Sequence, residues 1–169
     1  MAVSLQILVI ILTAVAMEGI AWATHKYLMH GVLWFIHKSH HTPRKHWWEV
    51  NDIFAVFFTL QSVAFIVVGW QVQEWAWLFP IGAGIALYGI FYAIFHDVLA
   101  HNRVPFLRFK ISNSYLKRII RAHGVHHRYH SKEGGEAFGF LYAPAKYEAN
   151  NKDANRQDLK NTTTEPLTS

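Results

Sequence analysis

Apolar residues run almost unbroken from Val3 to Ala23, and no Lys or Arg occurs before His25. A helix rising about 1.5 Å per residue over that run crosses a hydrocarbon core about 30 Å thick. The run lacks a basic leading region and a small-residue cleavage site, so it reads as a retained first span rather than a signal peptide. Residues 53–70 form a second uncharged run. The link QVQEW carries no basic residue, and residues 75–95 form a third run. Within the third, Gly82 with Ala86 and Gly89 with Ala93 place small residues four apart, a spacing that permits close helix packing. Pro80 falls in the first turns, where proline costs least.

Between the spans the pattern changes. Residues 25–50 are polar and basic, with Lys26, Lys38, Arg44 and Lys45. Pro43 limits any helix there, and Trp47 and Trp48 mark an interface. Beyond His101 the chain is too polar to span. Phe106, Leu107, Phe109, Ile111, Leu116, Ile119 and Ile120 alternate with basic residues, the pattern of an interfacial helix or helix pair. Residues 150–169 have no apolar period and read as a disordered polar tail. The expectation is an all-α integral membrane protein. Residues 1–149 form one membrane-embedded domain, a small bundle of three or four transmembrane helices with interfacial helices carrying a histidine-rich di-metal site.

The loop after the first span and everything after the third are basic, which places both on the cytoplasmic side. Alternation of three spans gives the same answer. The basic segment from Arg103 to Lys132 is then explained by topology, with no nucleic-acid partner. Hydrophobic residues make up 52% of the 169 and charged residues 16%, which also points to the bilayer. Cysteine is absent, which removes disulfides, thiolate metal sites and cysteine-held clusters.

Candidate chemistry sits in the histidines. His25, His30, His37, His40 and His41, like His96, His101, His123, His126 and His127, follow one order (His, four residues, His, a gap, then His, two residues, His-His), so ten of twelve histidines fall in one duplicated pattern. On a helix, i, i+3 and i+4 share a face, so His37, His40 and His41 project together, as do His123, His126 and His127. The pairs His25/His30 and His96/His101 are offset by roughly 140° on a regular helix. Either the helix distorts there, or each pair flanks two metals in a shared cavity.

A lone histidine near a membrane end is ordinarily an interfacial or hydrogen-bonded residue, and His46 and His130, outside the pattern, read that way. Packing does not require the repeat. Ten imidazoles exceed a tetrahedral zinc site and suit two metals of higher coordination number. Iron is the first choice because O₂ chemistry needs a change of oxidation state; zinc, copper and manganese also accept imidazole. No Glu-x-x-His, no H-E-x-x-H and no glycine-rich nucleotide loop occurs, which argues against a ferritin-like bundle, a zinc protease and direct NADPH or ATP binding. Glu18 is an ionisable group inside the first span, about 10 Å along the axis from His25. It suits an outer-shell or interior role better than ligation.

The doubled pattern resembles the fatty acid hydroxylase superfamily of membrane di-iron oxygenases. HKSHH, Asn51–Asp52 and HGVHHRYHSKEGGEAFGFLYAP are more narrowly similar to the bacterial β-carotene hydroxylases, over residues 15–147. The stretch KEGGEAFGFLYAP has no metal-ligand logic of its own. The resemblance implies that all ten patterned histidines ligate two non-haem irons and form the catalytic centre. It implies hydroxylation of β-ionone rings at carbon 3 with O₂ and two electrons, the electrons coming from an external ferredoxin-type donor. The partners are then the bilayer, a carotenoid and that carrier, and the site lies at the bacterial cytoplasmic membrane. Related enzymes on other lipids (a fatty acid or sterol hydroxylase, or a carotenoid ketolase) fit the same histidines, and a membrane metal transporter or sensor is the reading from another class. Relatives in the superfamily often carry four spans, against three here. Asp97 reads as an outer-shell partner or a helix-end residue, and Asn51 and Asp52 as caps of the second span.

Overall fold

The computed structural model describes residues 1–42, 46–107 and 109–148. The tail expected to be disordered and the break expected at Pro43 lie outside the described residues. Among the described residues all regular structure is helical. Helix α1 (Val3–Ala23) runs on into a π-helical stretch, Thr24–Val32. The short α2 (Trp34–His37) passes directly into a 3₁₀ turn, Lys38–His41. Helix α3 (Ile53–Gln71) follows, then α4 (Leu78–Tyr92), which also continues as a π-helical stretch, Ala93–Ala100. Helix α5 (Ser114–His127) comes last, opened by Asn113, whose side chain accepts from the Leu116 N–H at 3.1 Å.

Three helical segments are long and apolar enough to cross a membrane: Val3–Val32, Val50–Gln71 and Leu78–Ala100. No fourth is present among the described residues. Leu8, Ile11, Leu12, Phe57 and Leu60 stand exposed, a lipid-facing surface rather than a defect. The third span is the middle of the bundle: 33% of its apolar window is buried inside the protein, against 6% in the first.

Glycine sets how closely the spans approach. A Cβ on Gly82 would come within 2.8 Å of the Ser62 carbonyl oxygen and the Ile66 nitrogen of α3; one on Gly84 would meet Thr13 of α1 at 2.5 Å. The buried Ser62 hydroxyl donates to the Gly82 carbonyl at 2.8 Å, an interhelical bond in a region without water. The small-residue expectation therefore holds at Gly82. It fails at Gly89, where an added Cβ meets nothing, because that residue faces away from both neighbours.

Below the polar end lies an apolar floor of Met17, Ala21, Ile85, Tyr88 and Phe140. Among the described residues from His101 to His127 there is one helix rather than a pair, and it begins at Ser114. The inner face of α5 carries Ile119 and Ala122, packed on Ala143 and Tyr147, and turns His123 and His126 inward.

Candidate metal centre

Both His-x₄-His pairs lie on π-helical turns. The Leu33 N–H donates to the Leu28 carbonyl (2.8 Å) and the His101 N–H to the His96 carbonyl (2.9 Å), each spanning five residues. An i→i+5 turn brings residues five apart close to one face, which a regular helix does not. The distortion is thus the device that converges His25 with His30 and His96 with His101. Their ring centroids are 5.3 and 4.5 Å apart.

The ten patterned histidines gather in two adjoining clusters. One holds His25, His30, His37, His41 and His126; the other holds His40, His96, His101 and His123, with candidate ligand atoms in each within 4.8 Å of one another. The ring of His127 lies against the second cluster, 4.6 Å from those of His40 and His101 and 4.5 Å from that of His123, and also 4.7 Å from that of His41 in the first. Its Nε2 is buried with no hydrogen-bond partner among the described residues. The His-x₂-His-His triplets do project together, as helix geometry requires, but they divide. His37 and His41 face the first cluster and His40 the second. His123 and His127 face the second and His126 the first. Each triplet lends its middle histidine to the cluster built mainly by the other block.

Second partners fix the tautomers. Nδ1 of His25, His30 and His126 donates to the carbonyls of Phe138 (2.9 Å), Lys132 (3.2 Å) and Glu136 (2.8 Å). Nδ1 of His37 donates to Asn51 Oδ1 at 2.7 Å, that of His40 to Glu49 and that of His96 to Asp97, both at 2.9 Å. These oxygens only accept, so in the neutral ring each Nε2 is left as a lone pair. Yet the Nε2 atoms of His25 and His37 lie 3.1 Å apart, those of His30 and His126 3.2 Å, and those of His40 and His96 3.0 Å. Opposed lone pairs at that distance repel unless a cation lies among them. Burial keeps a proton from filling that role. It lowers His37 to about 3 against the Asn51 hydrogen bond, and His41 to about 4 with His30 adding to the effect. It lowers His126 to about 2, with His41 adding. The donor set fits metal ions that take neutral imidazole.

Three elements of this shell had no role at the histidines assigned from sequence. Glu49 holds His40. Arg103 forks between Asp52 (2.7 Å) and Asp97 (3.4 Å), tying together the approaches to His40 and His96. KEGGEAFGFLYAP acts through backbone carbonyls at residues 132, 136 and 138. A positive φ of 58° at Ala137 sits between the last two. Carbonyl groups carry no sequence signature, which is why the segment looked inert. Asn51 is a partner of His37 rather than a cap, because its side chain is buried against that ring. Asp52 does cap, accepting from the Glu49 N–H at 2.9 Å, though on the turn Val50–Asp52 that precedes the second span. Asp97 is a partner of the His96 ring, accepting from its Nδ1. His46 and His130 are exposed and outside both clusters, as their position beyond the pattern predicted.

One open cavity adjoins the histidines, and a second, lined by none of them, lies behind the segment that Phe138 belongs to. The first, about 580 Å³, is lined by His40, His101, His123, His127, Glu49 and His130. The other, about 420 Å³, lies between Gly19 and Trp22 of the first span and Phe138 and Tyr142.

Three membrane-spanning helices that end in two buried, adjoining imidazole clusters define a histidine-rich membrane protein able to hold metal. The chain belongs to the fatty acid hydroxylase family, whose model matches residues 10–144. It is 47% identical over 148 residues to the beta-carotene hydroxylase of Pseudescherichia vulneris, covering 84% of this chain and 80% of that one. It is also 47% identical over 141 residues to the beta-carotene hydroxylase of Pantoea ananas, 81% of this chain and 77% of that one. The chloroplastic beta-carotene 3-hydroxylase of Haematococcus lacustris is 36% identical over 143 residues, 82% of this chain and 43% of that protein. No solved structure matches the chain.

Proposed function

We propose that this chain hydroxylates β-carotene at carbon 3 of its β-ionone rings, passing through β-cryptoxanthin to zeaxanthin. The observation that carries the reading is the joined pair of imidazole clusters, in a chain nearly half identical to bacterial proteins bearing that name. His25, His30, His37, His41 and His126 hold one iron, and His40, His96, His101, His123 and His127 the other. Iron supplies the change of oxidation state that reaction with O₂ demands, which zinc does not.

The protein's own contribution is orientation and exclusion of water. Six Nδ1 hydrogen bonds hold the rings with Nε2 inward and raise their basicity as ligands. Phe138 and Phe140 pack against His25, with ring centroids 5.4 and 5.2 Å away, and close the apolar side of the first cluster. The cleft between Gly19, Trp22, Phe138 and Tyr142 offers a ring dissolved in the bilayer an approach beside that cluster.

Electrons come from an external carrier of the ferredoxin type, since the cysteine-free chain has no cluster, flavin or haem motif. Lys26, Lys38 and the basic residues of α5 share the cluster end, which supports placing that end at the cytoplasmic face of a bacterial cytoplasmic membrane.

Expression in a β-carotene-producing host tests the reaction. Zeaxanthin is the expected pigment, canthaxanthin selects a ketolase, and unchanged pigment removes the carotenoid reading. Metal analysis of the purified chain tests the centre; tightly bound zinc with no iron overturns the iron assignment.

A further inference from the structure

Glu18 lies within the first span, where a carboxylate is costly unless its oxygens are fully hydrogen-bonded. Its surroundings meet that demand. Oε1 accepts the backbone N–H groups of Phe140 (2.9 Å), Leu141 (2.9 Å) and Tyr142 (3.1 Å), and Oε2 accepts the Tyr88 hydroxyl at 2.9 Å. Successive N–H groups converging on one oxygen make an anion nest, here filled by the protein's own side chain. Gly139 completes the seat, since a Cβ there would come within 2.9 Å of Oε1.

The nest is the far end of a segment that touches the first cluster. Two residues before Phe140, the Phe138 carbonyl accepts from His25 Nδ1. The Phe140 ring stacks on His25 with an interplanar angle of 8° and meets His96 edge-on at 5.3 Å. One carboxylate thus fastens to α1 and α4 the strip of backbone that orients His25. The first span carries both the clamp, on α1, and, in the π-helical stretch that follows, the histidine that the clamp aligns.

We propose that Glu18 is a positioning residue for the first metal site: by pinning residues 140–142 to the first and third spans it sets the direction of His25 Nε2. This rests on reading the clusters as metal sites.

The test uses the full chain in detergent or nanodiscs, stripped by chelator and titrated with Co²⁺ while the visible spectrum is followed. Wild type, Glu18→Ala, Glu18→Gln and Gly139→Ala are compared. Glu18→Ala is expected to weaken one of the two Co²⁺ sites by on the order of 10- to 100-fold, the scale of an outer-shell loss, and to alter that site's spectrum. Glu18→Gln keeps an acceptor oxygen for the three N–H groups and restores most of the affinity. Gly139→Ala displaces the carboxylate without removing it and weakens the same site, so it decides the matter where Glu18→Ala does not insert. A merely structural Glu18 lowers thermal stability and leaves both affinities and spectra unchanged, and that result in a folded variant overturns the proposal. Wild-type protein that takes up no metal overturns the metal reading, and this proposal with it.

Discussion

The Nε2 atoms of His30 and His126 face each other at 3.2 Å although both rings spend their Nδ1 protons on backbone carbonyls. The residues are 96 apart in sequence and come from different histidine blocks. Their opposition makes the two blocks one centre rather than two parallel ones, and it sets what substitution should do.

His126→Ala removes the one histidine that α5 lends to the first cluster, and His40→Ala the one that the first block lends to the second. Each should abolish ring hydroxylation, a loss above the 10–100-fold typical of an outer-shell change, while membrane insertion stays intact. Pigment analysis with metal counting checks this. Full activity in either variant removes that residue from the ligand set.

Asn51→Leu, Glu49→Gln and Asp97→Asn leave every ring in place and take away only the acceptor, or its charge, behind His37, His40 or His96. Metal affinity or activity should fall about 10- to 100-fold for Asn51→Leu, and less for the two amides, which retain an oxygen. Metal titration of the purified variants measures it. Unchanged affinity for Asn51→Leu would show the His37 contact to be incidental.

Chelator-stripped protein should lose stability on acidification. His37 and His41 are held near about 3 and about 4 when folded, whereas an unfolded histidine takes a proton below about 6.5. Between those values the unfolded chain binds more protons, so stability rises with pH, by up to about 1.4 kcal/mol per pH unit for each such buried histidine. Unfolding followed from pH 7 to pH 5 checks the slope. A flat profile contradicts the burial of neutral rings.

Gly82→Val should loosen the contact between α3 and α4, because its Cβ meets backbone atoms that have no room to retreat. Overpacking of this kind costs about 1–3 kcal/mol. Gly89→Val, at a position where the added Cβ meets nothing, is the control and should leave thermal stability in detergent unchanged.

Hydropathy alone decided much of this protein. Three apolar runs in an oily solvent have to become helices, because backbone groups find no other partners there. The repeated histidine pattern likewise singled out all ten rings that gather at the site, eight of them buried, since nothing in packing asks for such a repeat. Glu18 stood out because an ionisable group within a span needs a reason, and Asp97 because it stands beside His96.

Tertiary structure decided the rest. Spacing left open whether His25 and His30 share one site, and the answer lay in a π-turn, a backbone choice that side-chain types do not announce. The exchange of His40 and His126 between clusters depends on how α5 docks against the turn Lys38–His41. The carbonyls of Lys132, Glu136 and Phe138 belong to a group every residue possesses, so only the folded path of the chain could show which of them reach a histidine.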